Sequence, residues 1–276
     1  MKKRLFALML TLIMILCFYG CKDKEANKPQ ESTTSVSDKN TQKQKSNKET
    51  DAPTSEVAQT DTSITTDETP TEETTGIPTA EVTEKKVILK NFSPICQYPE
   101  LPTGCEMTSL TMVLNFYGVS ADKCDISDNY LEKGAVGTVD FRKAFVGDPR
   151  DESSYGCYAP VVANTANKYL QVVGAEYKAT DITGTTLEKL FSYIDNNTPV
   201  IIWATQYMRE GHQSVTWNID GKDLTWITPE HCMVLVGYSD NYVFIADPLF
   251  GEVKSYGKTT FNNRYQTLYS QAVIIQ

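Results

Sequence analysis

The composition of the chain changes abruptly near residue 84, and this change limits the part of the sequence that can form a folded core. Residues 22–84 are rich in Thr, Ser, Glu, Lys and Gln and contain almost no large apolar side chains. Such a segment buries too little apolar surface to offset the entropy lost on folding, so we expect a disordered linker. Residues 85–276 remain, enough for one domain with a substantial core.

The negative charge of the chain is concentrated in the linker. Residues 51–84 contain nine acidic and no basic residues, which equals the formal net charge of −9 for the whole chain. The net negative charge therefore belongs mostly to the linker, which we interpret as a solvated spacer that holds the domain away from a membrane. No basic patch is evident, so we expect no nucleic-acid partner.

The first 21 residues have the pattern of an export signal. Lys2, Lys3 and Arg4 precede an apolar run over residues 5–19, which is rather short for a spanning helix. Residues 18–21, Phe-Tyr-Gly-Cys, resemble a bacterial lipobox, in which Cys21 would be lipidated and become the mature N-terminus. The alternatives are ordinary cleavage or an uncleaved anchor. We expect lipid anchoring of the domain at the extracellular face of the bacterial cell membrane.

The hydrophobic pattern of residues 85–276 predicts helices first and antiparallel strands afterwards. Apolar residues at three- and four-residue spacing predict a helix that starts near Cys105 and ends at Gly118. Further helices are predicted after Gly156 and over residues 187–194, and strands over residues 199–204, 231–237, 242–248 and 271–275. We predict that residues 206–228 form a long loop or small excursion outside the core. This order is typical of an α+β fold.

One cysteine occupies a position that suits a nucleophile. Cys105 follows Gly104 at the predicted start of a helix, where unpaired N–H groups and the helix dipole favour the thiolate. The alternative is a buried structural cysteine. Cys157 also follows a glycine before a helix, but Pro160 removes one N–H donor there. Gln97, upstream of Cys105, could add a side-chain N–H to an oxyanion hole.

The choice of a general base is narrow because the chain has two histidines. His212 lies in a polar stretch, whereas His231 begins a predicted strand and is the better placed. Asp247 ends the next strand and could orient the imidazole, although Asp-Pro also favours a turn. His231 and Asp247 share a sheet face only if the hairpin has an odd-length loop or a bulge. A three-residue loop, with Tyr238 opposite Tyr242, meets this condition.

The remaining cysteines do not indicate a metal site. Residues 85–276 contain five cysteines, no CxxC spacing and few histidines, so we expect neither a structural zinc ion nor a cofactor. Five is odd, and at least one thiol of an exported domain stays free or pairs outside it. The pairing of the other cysteines is left open.

Three ordered motifs together carry a family resemblance. They are Pro102-Thr103-Gly104-Cys105 opening a helix that runs to Gly118, His231 followed by apolar residues and Gly237, and residues 247–251, Asp-Pro-Leu-Phe-Gly. The set resembles the papain-like cysteine peptidases related to the bacteriocin leader (double-glycine) peptidases. Residues 154–160 also resemble a block in their stand-alone exported relatives.

The resemblance implies a papain-like fold over residues 85–276, with Cys105 as nucleophile, His231 as base, Asp247 as its orienting partner and Gln97 as the oxyanion helper. We therefore expect a monomeric, membrane-tethered thiol peptidase or amidase that acts on a peptide or protein, with cell-wall peptide among the candidates. The chain has no transporter segment, which argues against leader processing. The alternatives are an acyltransferase or non-peptide amidase with the same triad, or an inactive surface binding module.

Overall fold

The computed structural model describes residues 85–276. The expected signal sequence over residues 1–21, the lipid site at Cys21 and the expected linker over residues 22–84 lie outside the described residues. Within residues 85–276, no helix has both the length and the apolar character needed to cross a membrane.

Residues 85–276 form five α-helices, three of them where the apolar periodicity predicts a helix. They are α1 (Cys105–Phe116), α2 (Lys123–Asn129), α3 (Ala159–Val173), α4 (Leu187–Asp195) and α5 (Lys258–Thr267). Asp122 and Thr186 accept backbone hydrogen bonds and cap α2 and α4, respectively. Gly174 ends α3 in the left-handed conformation. The predicted helices correspond to α1, α3 and α4.

An antiparallel sheet of seven strands forms the other layer. The strands are β1 (Lys86–Ile88), β4 (Ala179–Asp181), β5 (Val200–Thr205), β8 (Glu230–Ser239), β9 (Tyr242–Asp247), β10 (Glu252–Gly257) and β11 (Ala272–Ile275). Their order is β10-β9-β8-β5-β11-β4, and β1 pairs with the end of β8 beyond β5. Strands β5, β8 and β11 are fully buried, as expected for runs of apolar residues. The fold is therefore α+β, as predicted.

The β8–β9 hairpin reaches its register by a bulge. Of the two predicted alternatives, the three-residue loop is not formed, because Tyr238 lies opposite Val243 and the loop has two residues. A register shift between Leu235 and Gly237 inserts one extra residue on β8, and the pairing then continues as Val234–Ala246. Because the bulge adds one residue to β8, the alternation of side chains shifts by one, and Asp247 falls on the same face of the sheet as His231.

The prediction that residues 206–228 lie outside the core is wrong. This stretch forms a short 3-10 helix (Gln206–Met208) and a separate hairpin of β6 (His212–Ile219) and β7 (Lys222–Thr228). Trp217, Leu224 and Trp226 are buried in the main hydrophobic core. Polar residues alternate with these apolar ones because one face of the hairpin is solvated. The stretch therefore has as many polar residues as a loop, which is why its sequence predicted one. The remaining strands, β2 (Lys133–Gly134) and β3 (Phe145–Val146), pair in parallel.

Helix α1 lies against the central strand β8, and this contact positions the site. Every residue of α1 from Cys105 to Leu114 is buried. Ser109 donates a side-chain hydrogen bond to the carbonyl of Cys232 at 3.2 Å. The start of α1 and the start of β8 therefore meet inside the domain.

Candidate active site

Cys105 is the first residue of α1 and is almost fully buried. The preceding turn is tight, because a Cβ atom on Gly104 would lie 2.5 Å from the Cβ of Leu101. A glycine is needed for this close approach. The N–H of Cys232 donates to the Cys105 Sγ over 3.4 Å, so the thiol lies beside the residue that follows His231.

His231 and Asp247 form a buried pair across the β8–β9 hairpin. The His231 Nε2 and Asp247 Oδ1 atoms are 2.7 Å apart, and both side chains are about 1% exposed. An ionised carboxylate only accepts hydrogen bonds, so Nε2 carries a proton, and in the neutral imidazole Nδ1 is the nitrogen with the lone pair. The Nδ1 atom is buried without a hydrogen-bond partner among the described residues. It is therefore free to accept a proton.

The Asp247 carboxylate is held in its charged form. Burial acts to raise its pKa, but the hydrogen bond and charge of His231, the Leu249 N–H and the Tyr256 hydroxyl together outweigh burial and lower the pKa below its ordinary value. The Leu249 N–H lies 3.0 Å from Oδ1 and the Tyr256 hydroxyl lies 3.4 Å from Oδ2. The carboxylate thus stays an acceptor for the imidazole near neutral pH.

Gln97 is fixed by contacts to both sides of the site. Its backbone N–H donates to the Pro248 carbonyl at 2.8 Å, and Lys123 donates to its carbonyl at 2.9 Å. The side-chain Nε2 donates to the Pro102 carbonyl at 2.6 Å. An amide nitrogen has two N–H bonds, so one remains for another acceptor.

These residues share one cavity. The Cys105 cavity, as we name it, has a volume of about 300 Å³, and its lining includes Gln97, Cys105, Tyr155, Trp226, Glu230 and His231. The sulfur makes no hydrogen bond to His231 within residues 85–276; it donates instead to Glu106 Oε2 at 3.3 Å. Asp247 lies behind His231 and does not line the cavity. The structure thus brings together Gln97, Cys105, His231 and Asp247, with the thiol turned towards a carboxyl group.

Two buried glutamates at the site were missed in the sequence. Glu106 directly follows Cys105, and Glu230 directly precedes His231. Glu106 is fully buried and accepts the Cys157 N–H at 2.6 Å, whereas Glu230 is 8% exposed and its Oε1 has no partner among the described residues. Burial raises the pKa of both carboxyl groups, and the charge of Glu106 further raises that of Glu230. The signal in the sequence was a glutamate directly beside each of Cys105 and His231, at the start of an apolar run.

The two glutamates oppose the thiolate that the helix start was expected to favour. Burial raises the pKa of the Cys105 thiol well above its ordinary value, the charges of Glu106 and Glu230 raise it further, and the Cys232 N–H lowers it. No lysine or arginine in the described part of the chain pairs with either glutamate. Two adjacent carboxyls without a cation cannot both be ionised, so the pair keeps a proton near neutral pH.

Neither of the competing candidates, Cys157 and His212, lines the Cys105 cavity. Cys157 is fully buried, and burial raises the pKa of its thiol well above the ordinary value. His212 is exposed at the start of β6. All five cysteines of the described residues are free thiols, including Cys96 and Cys124.

One group in residues 85–276 has side chains of metal-ligand type close together. The ligand atoms of Cys105, Glu106 and Glu230 lie within 4.8 Å of one another. A sulfur and two carboxylate oxygens are compatible with a zinc ion, although one more ligand would be needed for the tetrahedral set. The sequence indicated neither a metal nor a cofactor.

Comparison with known proteins identifies the domain. A protein named "Uncharacterized protein YvpB" from Bacillus subtilis (strain 168) is 28% identical over 184 residues, which are 64% of this chain and 71% of the relative. A crystal structure from Bacillus anthracis, assigned as a C39-like peptidase, superposes with a TM-score of 0.63 at 32% identity, covering 70% of this chain and 98% of that one.

A second solved structure is more distant. The peptidase domain of Streptococcus ComA, a bifunctional ABC transporter involved in quorum sensing, has a TM-score of 0.42 and 17% identity. The match covers 67% of this chain and 97% of that chain.

Residues 89–273, almost the whole described domain, match the Peptidase_C39 like family. The family and the α+β fold support a peptidase function, and the resemblance read from the three motifs is confirmed at this level. The chain therefore belongs to the Peptidase_C39 like family.

Proposed function

We propose that the chain is a cysteine peptidase in which Cys105 attacks the carbonyl carbon of a peptide bond. The observation that carries this proposal is that Cys105 and the Asp247-bound His231 line one cavity of about 300 Å³. A sulfur nucleophile, a base with a free lone pair and a carboxylate that fixes its tautomer are the parts required for thiol acyl transfer.

The reaction begins with deprotonation of the Cys105 thiol. The Cys105 S–H, which donates to Glu106, transfers its proton to His231 Nδ1 and leaves a thiolate beside an imidazolium. The thiolate then forms a C–S bond with the substrate carbonyl carbon. Asp247 stabilises the imidazolium and keeps the ring oriented.

The remaining steps use the groups around the sulfur. The free N–H of Gln97 and the backbone N–H of Cys105, which belongs to the unpaired first turn of α1, hold the oxyanion. As the intermediate collapses, the C–N bond breaks and the imidazolium gives its proton to the departing amine. His231 then removes a proton from water, which hydrolyses the thioester and regenerates the thiol.

We also propose that the peptidase acts outside the cell as a monomer, lipid-anchored through Cys21 and separated from the membrane by residues 22–84. The sequence pattern of residues 1–21 supports this location. In cells, Cys21→Ser should move the chain from the membrane fraction to the soluble fraction, and an unchanged distribution would contradict the lipid anchor.

The experiment that tests the activity is a digest of a peptide library and of cell-wall fragments by the full chain, compared with Cys105→Ala. Products of amide cleavage that need Cys105 are expected, and His231→Ala should abolish them as well. Glu188→Gln, on the exposed face of α4, is the matched control and should leave the products unchanged. Cleavage that persists in Cys105→Ala would refute the assignment of the nucleophile.

A further inference from the structure

Among Asp, Glu, Lys and Arg side chains of residues 85–276, only glutamates line the Cys105 cavity. Glu230 lies in its wall and Glu152 at its exposed rim, and no lysine or arginine of residues 85–276 lines it. Glu106 lies directly behind the wall, with its carboxyl against the Cys105 sulfur. A concave site with carboxyl groups and no cation of its own attracts positively charged molecules and repels negative ones.

One buried carboxyl oxygen of a residue in the cavity wall lacks the hydrogen-bond partner that burial normally requires. Glu230 is 8% exposed, and its Oε1 makes no hydrogen bond to any described residue. The backbone at Gly156 approaches closely on the other side, since a Cβ there would lie 3.2 Å from Glu230 Oε2 and 2.5 Å from Glu106 Oε1. Buried carboxyl oxygens without a donor are unfavourable, and a ligand that supplies a donor with positive charge removes this penalty.

We propose that the Cys105 cavity selects peptides with a lysine or arginine side chain next to the cleaved bond, and that Glu230 is the residue that binds the cation. This inference rests on the proposed peptidase function and names its substrate class. Glu230 is a specificity-determining residue in this assignment, whereas Glu106 adds negative charge from behind it.

The rest of the cavity wall suits such a side chain. Trp226 lines the cavity and is packed edge-on against Tyr155, with ring centroids 5.8 Å apart. The methylene stem of lysine or arginine packs on aromatic surface of this kind, while the charged end reaches a carboxyl group. A neutral side chain of the same length gains only the packing, so it leaves Glu230 unpaired.

Binding of the cation also acts on the nucleophile. Burial raises the pKa of the Cys105 thiol above its ordinary value, and the charges of Glu106 and Glu230 raise it further. A substrate cation beside these carboxyl groups cancels part of this field and favours the thiolate. Cationic substrates should therefore raise kcat as well as lower KM, whereas simple attraction at the rim would change KM alone.

The first test measures binding without catalysis, in the presence of EDTA. Fluorescence anisotropy measures the binding of pools of acetylated hexapeptide amides to the full chain with Cys105→Ala. The paired pools differ at one fixed position, which holds lysine or norleucine in one pair and arginine or citrulline in the other. At one position, the cationic pool should bind at least about tenfold more tightly, the range for a buried charge pair. Equal affinity of the paired pools at every position would overturn the inference.

The second test assigns the preference to Glu230. Adding Glu230→Gln to Cys105→Ala should bring the ratio of affinities close to one, whereas Glu188→Gln should leave it intact. A ratio that survives Glu230→Gln overturns the role of this residue. If Glu230→Gln does not fold, Glu152→Gln at the exposed rim should still lower the ratio several-fold, and an unchanged ratio there would count against the inference.

Three further outcomes separate this inference from its rivals. If cationic peptides bind through Glu230 but the chain with Cys105 intact cleaves none of them, the peptidase proposal fails and the cation site stands. If peptides are cleaved through Cys105 without a cationic preference, the peptidase proposal stands and the inference fails. If the affinity ratio is one while Zn²⁺ protects Cys105 from alkylation in a Glu230-dependent way, the carboxyl cluster is a metal site, and the inference is wrong.

Discussion

Replacing Glu106 by glutamine should make Cys105 more reactive, although it removes a carboxyl group from the candidate active site. Glu106 Oε2 accepts the thiol S–H at 3.3 Å, and Oε1 accepts the Cys157 N–H at 2.6 Å. Glutamine keeps the shape and the acceptor for Cys157, removes the negative charge and presents an N–H to the sulfur. Both changes stabilise the thiolate relative to the thiol.

The magnitude follows from the distance. Two unit charges about 4 Å apart interact by about 4 kcal/mol at an effective dielectric constant near 20, which corresponds to roughly 3 pKa units. Glu106 shares a proton with Glu230 and carries only part of a charge near neutral pH, so the full value is an upper limit. We expect the pKa of the Cys105 thiol to fall in Glu106→Gln, so that labelling below the midpoint becomes about ten- to a hundredfold faster.

The assay is the rate of iodoacetamide labelling of Cys105 between pH 5.5 and 10, followed by mass spectrometry of the peptide that contains it. In Glu106→Gln, the pH midpoint of labelling should shift to lower pH, while the partly exposed Cys96 and Cys124 serve as internal references. Glu188→Gln neutralises a first-turn glutamate of another helix and should leave the midpoint unchanged. A midpoint that stays or rises in Glu106→Gln would show that this carboxyl group does not oppose the thiolate.

Two further changes test other parts of the site. Gly156→Ala places a Cβ on a residue with φ of +147°, at 2.5 Å from Glu106 Oε1, so the free energy of unfolding in urea should fall by about 3–5 kcal/mol. Gly137 also has a positive φ but faces open space, so Gly137→Ala should lower the free energy of unfolding by about 1 kcal/mol. Similar losses in the two variants would refute the close approach at Gly156. Asp247→Asn should lower kcat/KM for peptide cleavage by about 10²- to 10⁴-fold because it no longer fixes the His231 tautomer, and an unaffected rate would exclude that role. The folded pKa of Asp247 is below its unfolded value, so the carboxylate stabilises the fold above about pH 4 and this contribution is lost as the pH falls through the folded pKa. The same variant should therefore show a shallower loss of unfolding free energy on acidification.

The sequence contained enough to predict the main parts of the site because those parts depend on local pattern. A glycine before Cys105 and an apolar stripe after it predict a helix start, and the period of two in β8 and β9 relates His231 to Asp247. The requirement that His231 and Asp247 share one face of the sheet left two solutions, a hairpin loop of odd length or a bulge. The structure uses the bulge after Leu235 instead of a longer loop, because β1 also pairs with the far end of β8 and the Val236 carbonyl accepts the Leu89 N–H there.

The remaining features depend on tertiary packing. Glu106 and Glu230 are far apart in sequence, and only the contact between α1 and β8 makes them neighbours. Trp226 was assigned to a loop because its hairpin has a solvated face, yet its ring is buried and stacks on Tyr158. Neither fact can be read from spacing along one segment.

The three consecutive residues Glu230, His231 and Cys232 lie on one strand, paired with β5, and each serves the site with a different group. A slip of β8 by a single residue would exchange imidazole for carboxyl beside the sulfur. Such a slip would require the hydrogen bonds of β5, β9 and β1 to break together, so it has the cost of opening the sheet itself. Fraying at a chain end cannot misalign the site, because β8 lies in the interior of the sheet.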